Sequence, residues 1–147
     1  MYRAIDITAP VPVVYRWRQL RVAPYSYDLL DNLGRRSPRE LTPGADELEE
    51  GQRVMTIFHL ASFERERHLT IVWDGIGRKL LGNVSSSYTV VPAGEGSRLV
   101  LKLVCDPPGG RLLAAPYRWV MPWFDLFMMR KQFLNLKRLA EKSAVAA

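Results

Sequence analysis

Metal chemistry needs clustered ligands, and this chain offers two histidines, His59 and His68, and one cysteine, Cys105. Neither an H-E-x-x-H nor a C-x-x-C spacing occurs, so no metal site is expected. A phosphate-cradling loop needs glycines, a Lys-Ser/Thr pair and a following helix N-terminus. Gly75, Gly77 and Gly82 supply the glycines alone, and a strand pattern follows, so a turn between strands is expected there. The G-x-S-x-G serine elbow is absent. Cys105 lies in an apolar run and reads as a buried, inert thiol. Acid–base chemistry would fall to Asp125, Glu64, Tyr88 or His59, with a pKa displaced by burial. None of the four is marked as inward by its spacing, and no pattern implies a cofactor.

One segment is dense in hydrogen-bonding groups. Residues 25–38 hold Tyr25, Tyr27, Asp28, Asp31, Asn32, Arg35 and Arg36. Tyr25, Tyr27, Arg35 and Arg36 are candidates for a cavity entrance, where an arginine would meet a ligand carboxylate. The competing reading, which we favour, is structural: Asp28 and Asp31 pair with the arginines and fix a loop.

Apolar spacing gives the elements that would hold a site. Residues 2–8 alternate loosely and read as a first strand. Pro10 and Pro12 can occupy a first helical turn, and Val13, Val14, Trp17 and Leu20 follow at helical spacing, so residues 11–21 form a short helix. A second runs over 26–33, with Ser26 as cap and Gly34 as stop. Strand patterns then cover 53–60, 68–73, 83–91 and 98–105, with Ala93-Gly94-Glu95-Gly96 as a hairpin turn. The face of strand 53–60 is ambiguous: Val54, Phe58 and Leu60 lie on one side, Met55 and His59 on the other. A long helix starts near Pro122 and ends near Ser143. Leu126, Met129, Phe133, Leu136 and Ala140 form its apolar stripe, with Leu139 beside them. Opposite them we place Trp73, Tyr88, Leu101 and Leu103. Ser86 and Tyr88 are sparse polar groups on an apolar strand face, as suits ligand orientation in a pocket. The ligand-cavity set is therefore Trp73, Ser86, Tyr88, Leu101, Leu103, Leu126, Met129 and Phe133.

The chain has 147 residues, of which 48% are apolar and 24% charged. These are globular values for one domain, 1–147, and exclude wholesale disorder. Net charge is +6. Residues 1–74 carry 10 basic and 11 acidic side chains, whereas residues 75–147 carry 11 and 4. The excess thus sits in the second half and suits an anionic partner or a solvated basic surface. A lone cysteine excludes a disulfide framework and points to a reducing, cytoplasmic setting. Asp6, Pro10 and Pro12 interrupt any secretory apolar core. The most apolar stretch, 112–129, contains Pro116, Arg118, Pro122 and Asp125, so no membrane-spanning helix is expected.

The order is strand, two short helices, antiparallel strands and one long helix, an α+β pattern. Together with Ile5-Asp6-Ile7-Thr8-Ala9-Pro10 followed by Val14-Tyr15, it resembles the helix-grip fold of the START-like, or SRPBCC, superfamily. The resemblance implies a curved antiparallel sheet of about six or seven strands wrapped around the last helix, and a deep apolar cavity between them. Such proteins bind lipids, sterols, hormones or polyketides there, and some catalyse cyclisation. This chain departs from the better-known members in the loop after the first helix. No polar residue matches a characterised cyclase position by position, so no catalytic residue is carried over.

The leading expectation is a binding module, and possible transporter, for a hydrophobic small molecule or lipid. The alternative is a metal-independent polyketide cyclase or dehydratase using the same cavity. A nucleic-acid partner is not expected, because the aromatics sit at apolar helix and strand positions rather than among basic residues on an open sheet. Once the inward stripe is assigned, the last helix keeps a surplus: Trp123, Phe124 and Phe127, followed by Lys131 and Arg138. That is too much apolar surface to leave in water without a reason. Three covers are open: residues 112–121 folded over it, a second copy in a homodimer, or a weak peripheral contact with an anionic membrane.

Overall fold

A computed structural model of the chain describes residues 1–17, 23–27, 34, 36–44, 47–54, 58–73, 75, 78–79, 82–107 and 111–146, with side chains of the last helix from 114 onward. β1 (Tyr2–Ile7) leads into α1 (Val11–Trp17). Pro10 begins the first turn of α1, its carbonyl accepting from the Val13 and Val14 N–H groups. Pro12 falls where its missing N–H costs little. Residues 18–22 lie outside the described set. The second expected helix is mostly outside it too: Ser26 and Tyr27 are not helical, and 28–33 are not described.

Five further strands follow: β2 (Arg53–Val54), β3 (Phe58–Glu64), β4 (His68–Trp73), β5 (Asn83–Ala93) and β6 (Gly96–Asp106). They form one antiparallel six-stranded sheet in the order β1-β6-β5-β4-β3-β2. The expected strand 53–60 is corrected to two pieces that pair with each other, Arg53 with His59 and Val54 with Phe58. Apolar content over eight residues suggests one strand, but register makes it a hairpin. Its inward face is the more apolar one: Val54 and Leu60 are buried. His59 instead turns its Nδ1 to the Gly51 carbonyl at 3.0 Å and leaves the candidate site. Further along β3 the register with β4 shifts between Leu60 and Ser62. The extra residue, Ala61, switches face parity, so Phe63 rather than Ser62 opposes the buried Leu69.

β5 and β6 are the longest strands, and their turn is Gly94-Glu95, with Gly94 at φ +57°. Alternation is clean on both: Val84, Ser86, Tyr88 and Val90, and Ser97, Leu99, Leu101 and Leu103, are buried. Between β4 and β5, Arg78 and Lys79 have helical backbone, and the Gly82 N–H donates to the Arg78 carbonyl. The simple turn expected there is therefore corrected to a partly helical connection.

The last helix, α2 (Arg111–Val145), is 35 residues long, about 52 Å at 1.5 Å per residue. It begins eleven residues before the expected start and carries Pro116 and Pro122 inside it. A proline removes one backbone bond but does not end a helix when neighbouring turns hold. Only the second half of α2 is seated firmly: Phe133, Leu136 and Ala140 join Ile7, Val14, Trp17, Leu69, Ile71, Leu99 and Leu101 in one core. Burying a leucine of this kind contributes about 1.5–3 kcal/mol. The architecture is an α+β helix grip.

At Gly96 of β6 an added Cβ would press on the Ile7 carbonyl oxygen and the Thr8 Cα. Gly96→Ala is expected to lower stability by about 1–3 kcal/mol through overpacking against backbone, measured by denaturant unfolding. An unchanged midpoint would show that β1 can retreat freely.

Candidate functional site

α2 is fixed to the sheet by hydrogen bonds as well as by apolar packing. The Tyr88 hydroxyl donates to Gln132 Oε1 at 2.9 Å and lies 3.8 Å from Met129 Sδ. Gln132 Nε2 donates in turn to the Pro24 carbonyl at 2.6 Å. One turn on, Asn135 Nδ2 donates to the Tyr25 carbonyl at 2.8 Å. Tyr25 holds a left-handed backbone, φ +57°, and is only 1% exposed. The expectation that it lines an entrance is corrected: its side chain is part of the core. Burial pushes its hydroxyl up to about 12, and that hydroxyl has no partner among the described residues. At the far end the Trp17 indole donates to Ser143 Oγ at 2.7 Å.

The other end is looser and carries the titratable groups. Asp125 faces inward from α2 and pairs with Arg3 of β1 at 3.3 Å. Arg3 also donates to the Pro122 carbonyl at 3.2 Å. Burial raises the Asp125 carboxyl above the usual range, while Arg3 and the N-terminal ammonium pull it down. Near it Cys105 is half-buried. Its thiol is raised by burial and by Asp125, and a hydrogen bond with Tyr117 opposes this. The net shift is upward, which lowers its thiolate character, although the residue is half-buried rather than buried as expected. Tyr117 itself is pushed up to about 12, mainly by burial.

Of the expected cavity residues, Ser86, Tyr88, Leu101, Leu103 and Phe133 are buried on the inner face. Trp73 and Met129 are half-buried. Trp73 meets Phe58 edge-on at 5.5 Å, and its indole N–H is enclosed with no partner among the described residues. Leu126 is corrected: it is 41% exposed, because the inward stripe is rotated by about one residue and runs through Asp125, Met128, Gln132, Phe133, Leu136 and Ala140. The Tyr88 hydroxyl does not reach for a ligand but is bonded to Gln132. Among the entrance candidates, Tyr27 stacks flat on Phe127 at 4.4 Å, Arg36 is exposed, and Arg35 lies outside the described residues. Glu64 is exposed and pairs with Arg67 and His68.

Sequence reasoning missed Arg3, Gln132 and Asn135 and left Asp125 undecided. Asp125, Gln132, Leu136 and Ala140 do stand at helical spacing. Their polarity hid two of them from an apolar count.

Between the β1 edge and α2 runs a groove of about 190 Å³, lined by Arg3, Ala4, Ile5, Leu126, Met129, Arg130, Phe133 and Leu134. A second hollow of about 390 Å³ lies at the β5–β6 hairpin, lined by Asp6, Thr8, Glu95, Arg98 and Lys137 among others. The Asp6–Arg98 ion pair occupies its wall. The first is apolar and adjoins the inner face. The second is polar and solvent-washed.

Gln132→Leu is expected to cost about 1–3 kcal/mol, since Tyr88 and the Pro24 carbonyl lose a partner in a dry place. A cycle with Tyr88→Phe should show coupling of about 0.5–1.5 kcal/mol. For Asp125 the sign follows from its raised pKa. The folded state holds the proton more tightly, so stability falls as pH rises from 3.8 toward the folded value. Asp125→Asn removes that slope, so its thermal midpoint should gain on the wild type as pH climbs through this window. A difference that shrinks instead would show that the Arg3 pair outweighs burial.

No protein-family model matches the chain, and no curated protein matches it. Solved structures do. A Chromobacterium violaceum protein, CV1439, is similar at TM-score 0.59 and 13% identity over 96% of both chains. DynU16, a putative protein in the dynemicin biosynthetic locus, is similar at TM-score 0.54 and 17% identity, over 98% of this chain and 48% of that one. An Arabidopsis thaliana member of the major latex protein family matches at TM-score 0.50 and 13% identity, over 100% and 94%. Likeness that spans the whole chain at such low identity fixes the architecture alone: this chain has the helix-grip fold.

Proposed function

We propose that the chain binds a hydrophobic small molecule, of lipid or polyketide type, between the sheet and the first half of α2. The observation that carries this is the state of Trp73: an indole N–H withdrawn from water and bonded to no described group. A buried donor left unpaired costs about 1–3 kcal/mol. An acceptor on a ligand would recover that, with the apolar surroundings supplying affinity. Two further features support the reading. The inner face passes from fully buried residues near Leu99 to half-buried Trp73, Met129 and Cys105. The Tyr25 hydroxyl, with no partner among the described residues, offers a second donor within the grip. The lone cysteine suits a carrier in the cytoplasm. No helix among the described residues is long and apolar enough to cross a membrane.

The buried Asp125 carboxyl favours a second reading, acid–base catalysis of cyclisation or dehydration without a metal. A carboxyl whose proton is held by burial can deliver it to a leaving hydroxyl and take one back. On that reading Asp125→Asn abolishes turnover of a polyketide substrate while leaving its binding intact.

Binding is tested by titrating an apolar fluorescent probe such as anilinonaphthalene sulfonate. Native mass spectrometry of protein taken from its own source would name the resident ligand. Probe binding should perturb tryptophan emission. Met129→Trp should weaken binding about tenfold or more by filling space, and Trp73→Phe should weaken an acceptor-bearing ligand more than a pure hydrocarbon. If Met129→Trp and Trp73→Phe both bind as the wild type does, the site is not here.

A further inference from the structure

Of the three covers open for the aromatics of the last helix, the intramolecular one is not formed. Residues 112–121 continue the helix and do not fold over it. Besides Val145 at its end, seven large apolar side chains of α2 stand in water: Trp119, Val120, Trp123, Phe124, Leu126, Phe127 and Leu134, with Trp119 at 74% and Trp123 at 65% exposure. Trp119, Trp123 and Phe127 form one row at four-residue spacing, and Val120 and Phe124 form the next. At 100° per residue all seven lie on the side away from the inward stripe of Gln132 and Leu136. Among the described residues, Phe127 alone of the seven stacks on another ring, that of Tyr27.

Charge selects the occupant. On the same outward side, Arg130, Lys131 and Arg138 continue the row, all exposed. Between residues 111 and 140 the only acidic residue of α2 is Asp125, and it is buried against Arg3. A second copy docked on this helix would bring no carboxylate from that stretch of α2 to meet the cations, and desolvating them unpaired is costly. An anionic bilayer meets both halves of the pattern at once. Indoles favour the interface, apolar side chains enter just below it, and phosphates pair with the cations. We infer that the outward face of α2 is a docking surface for an anionic phospholipid bilayer, with Trp119, Trp123 and Phe124 inserted at the interface and Arg130, Lys131 and Arg138 on the headgroups.

The test is flotation with vesicles of phosphatidylcholine alone and of phosphatidylcholine with a minority of phosphatidylglycerol, at low and high salt. The wild type should float with the anionic vesicles, less so as salt rises, and its tryptophan emission should shift to the blue. Trp119→Ser with Trp123→Ser and Phe124→Ser should lower partitioning by more than about tenfold, with circular dichroism and thermal midpoint retained because these side chains are exposed. Lys131→Gln with Arg138→Gln should lower it about fivefold per charge removed, on anionic vesicles alone. This second variant also reads the surface independently if the first fails to fold. A wild type that stays in solution with both vesicle types overturns the inference. So does either variant partitioning like the wild type. So does a wild-type dimer that the aromatic variant turns to monomer without any vesicle binding. None of these outcomes depends on whether a ligand occupies the grip.

Discussion

The hydrogen bond from the Tyr88 hydroxyl to Gln132 is the contact on which the arrangement turns. Apolar packing alone would let a long helix slide or roll on a curved sheet, since one methyl group resembles the next. Gln132 sits between the middle of β5 and the Pro24 carbonyl, so one side chain ties three parts of the chain together. Its two polar ends can both be satisfied only at one rotation and one height of α2. Asn135 repeats the device on the Tyr25 carbonyl and holds that residue in a left-handed backbone that a tyrosine would not adopt unaided. Polar groups of this kind are costly when half satisfied, which is what makes them specify one geometry.

Fixing the helix at its middle leaves its two halves unequal. Beyond Gln132, Phe133, Leu136 and Ala140 close on the sheet and Trp17 reaches Ser143. Before it, α2 meets strand ends that carry Arg3 and Cys105, neither fully buried. Two prolines lie in that first half, and each removes a backbone N–H from the ladder. Arg3 anchors it to β1 through the Asp125 pair and a hydrogen bond to the Pro122 carbonyl. Because burial works against the Asp125 charge, this anchor is weaker than an ordinary ion pair and titrates sooner. The closed half gives the fold its stability, and the looser half is where a guest would be admitted.

The strands are legible in the sequence because their pattern has period two and depends on nothing distant. Leu99, Leu101 and Leu103 alternate in the sequence and are buried in the structure. Val84, Ser86, Tyr88 and Val90 do likewise, and the Gly94-Glu95 turn falls where its glycine places it. The inward residues of α2 are only partly legible. Phe133, Leu136 and Ala140 declare themselves by being apolar. Asp125 and Gln132 do not, because a buried polar group makes sense only once its partner is known, and Arg3 and Tyr88 lie more than 40 residues away. Leaving these two out rotates the stripe and brings Leu126 inside by mistake. Tyr25 is misplaced for a similar reason. A tyrosine in a polar segment suggests an entrance, and only the bond from Asn135 to its backbone shows it turned inward. The break between β2 and β3 is hidden because apolar content does not reveal register.

The groove beside β1 and the aromatic face of α2 share a border. Leu126, Arg130 and Leu134 line the groove and also stand exposed on the helix. Met129 and Phe133, one step inward, line the groove too, and Met129 lies against the Tyr88 hydroxyl. An apolar path thus runs from the outer surface of α2, over Leu126 and Met129, to the inner face of the sheet. A bilayer resting on Trp119 and Trp123 would lie against the outer end of that path. A hydrophobic molecule taking it would exchange lipid for protein without crossing water, and exposure to water is the main barrier to its transfer. The first half of α2, held to β1 through Arg3 by the Asp125 pair and the Pro122 carbonyl, is the more loosely seated part of the wall.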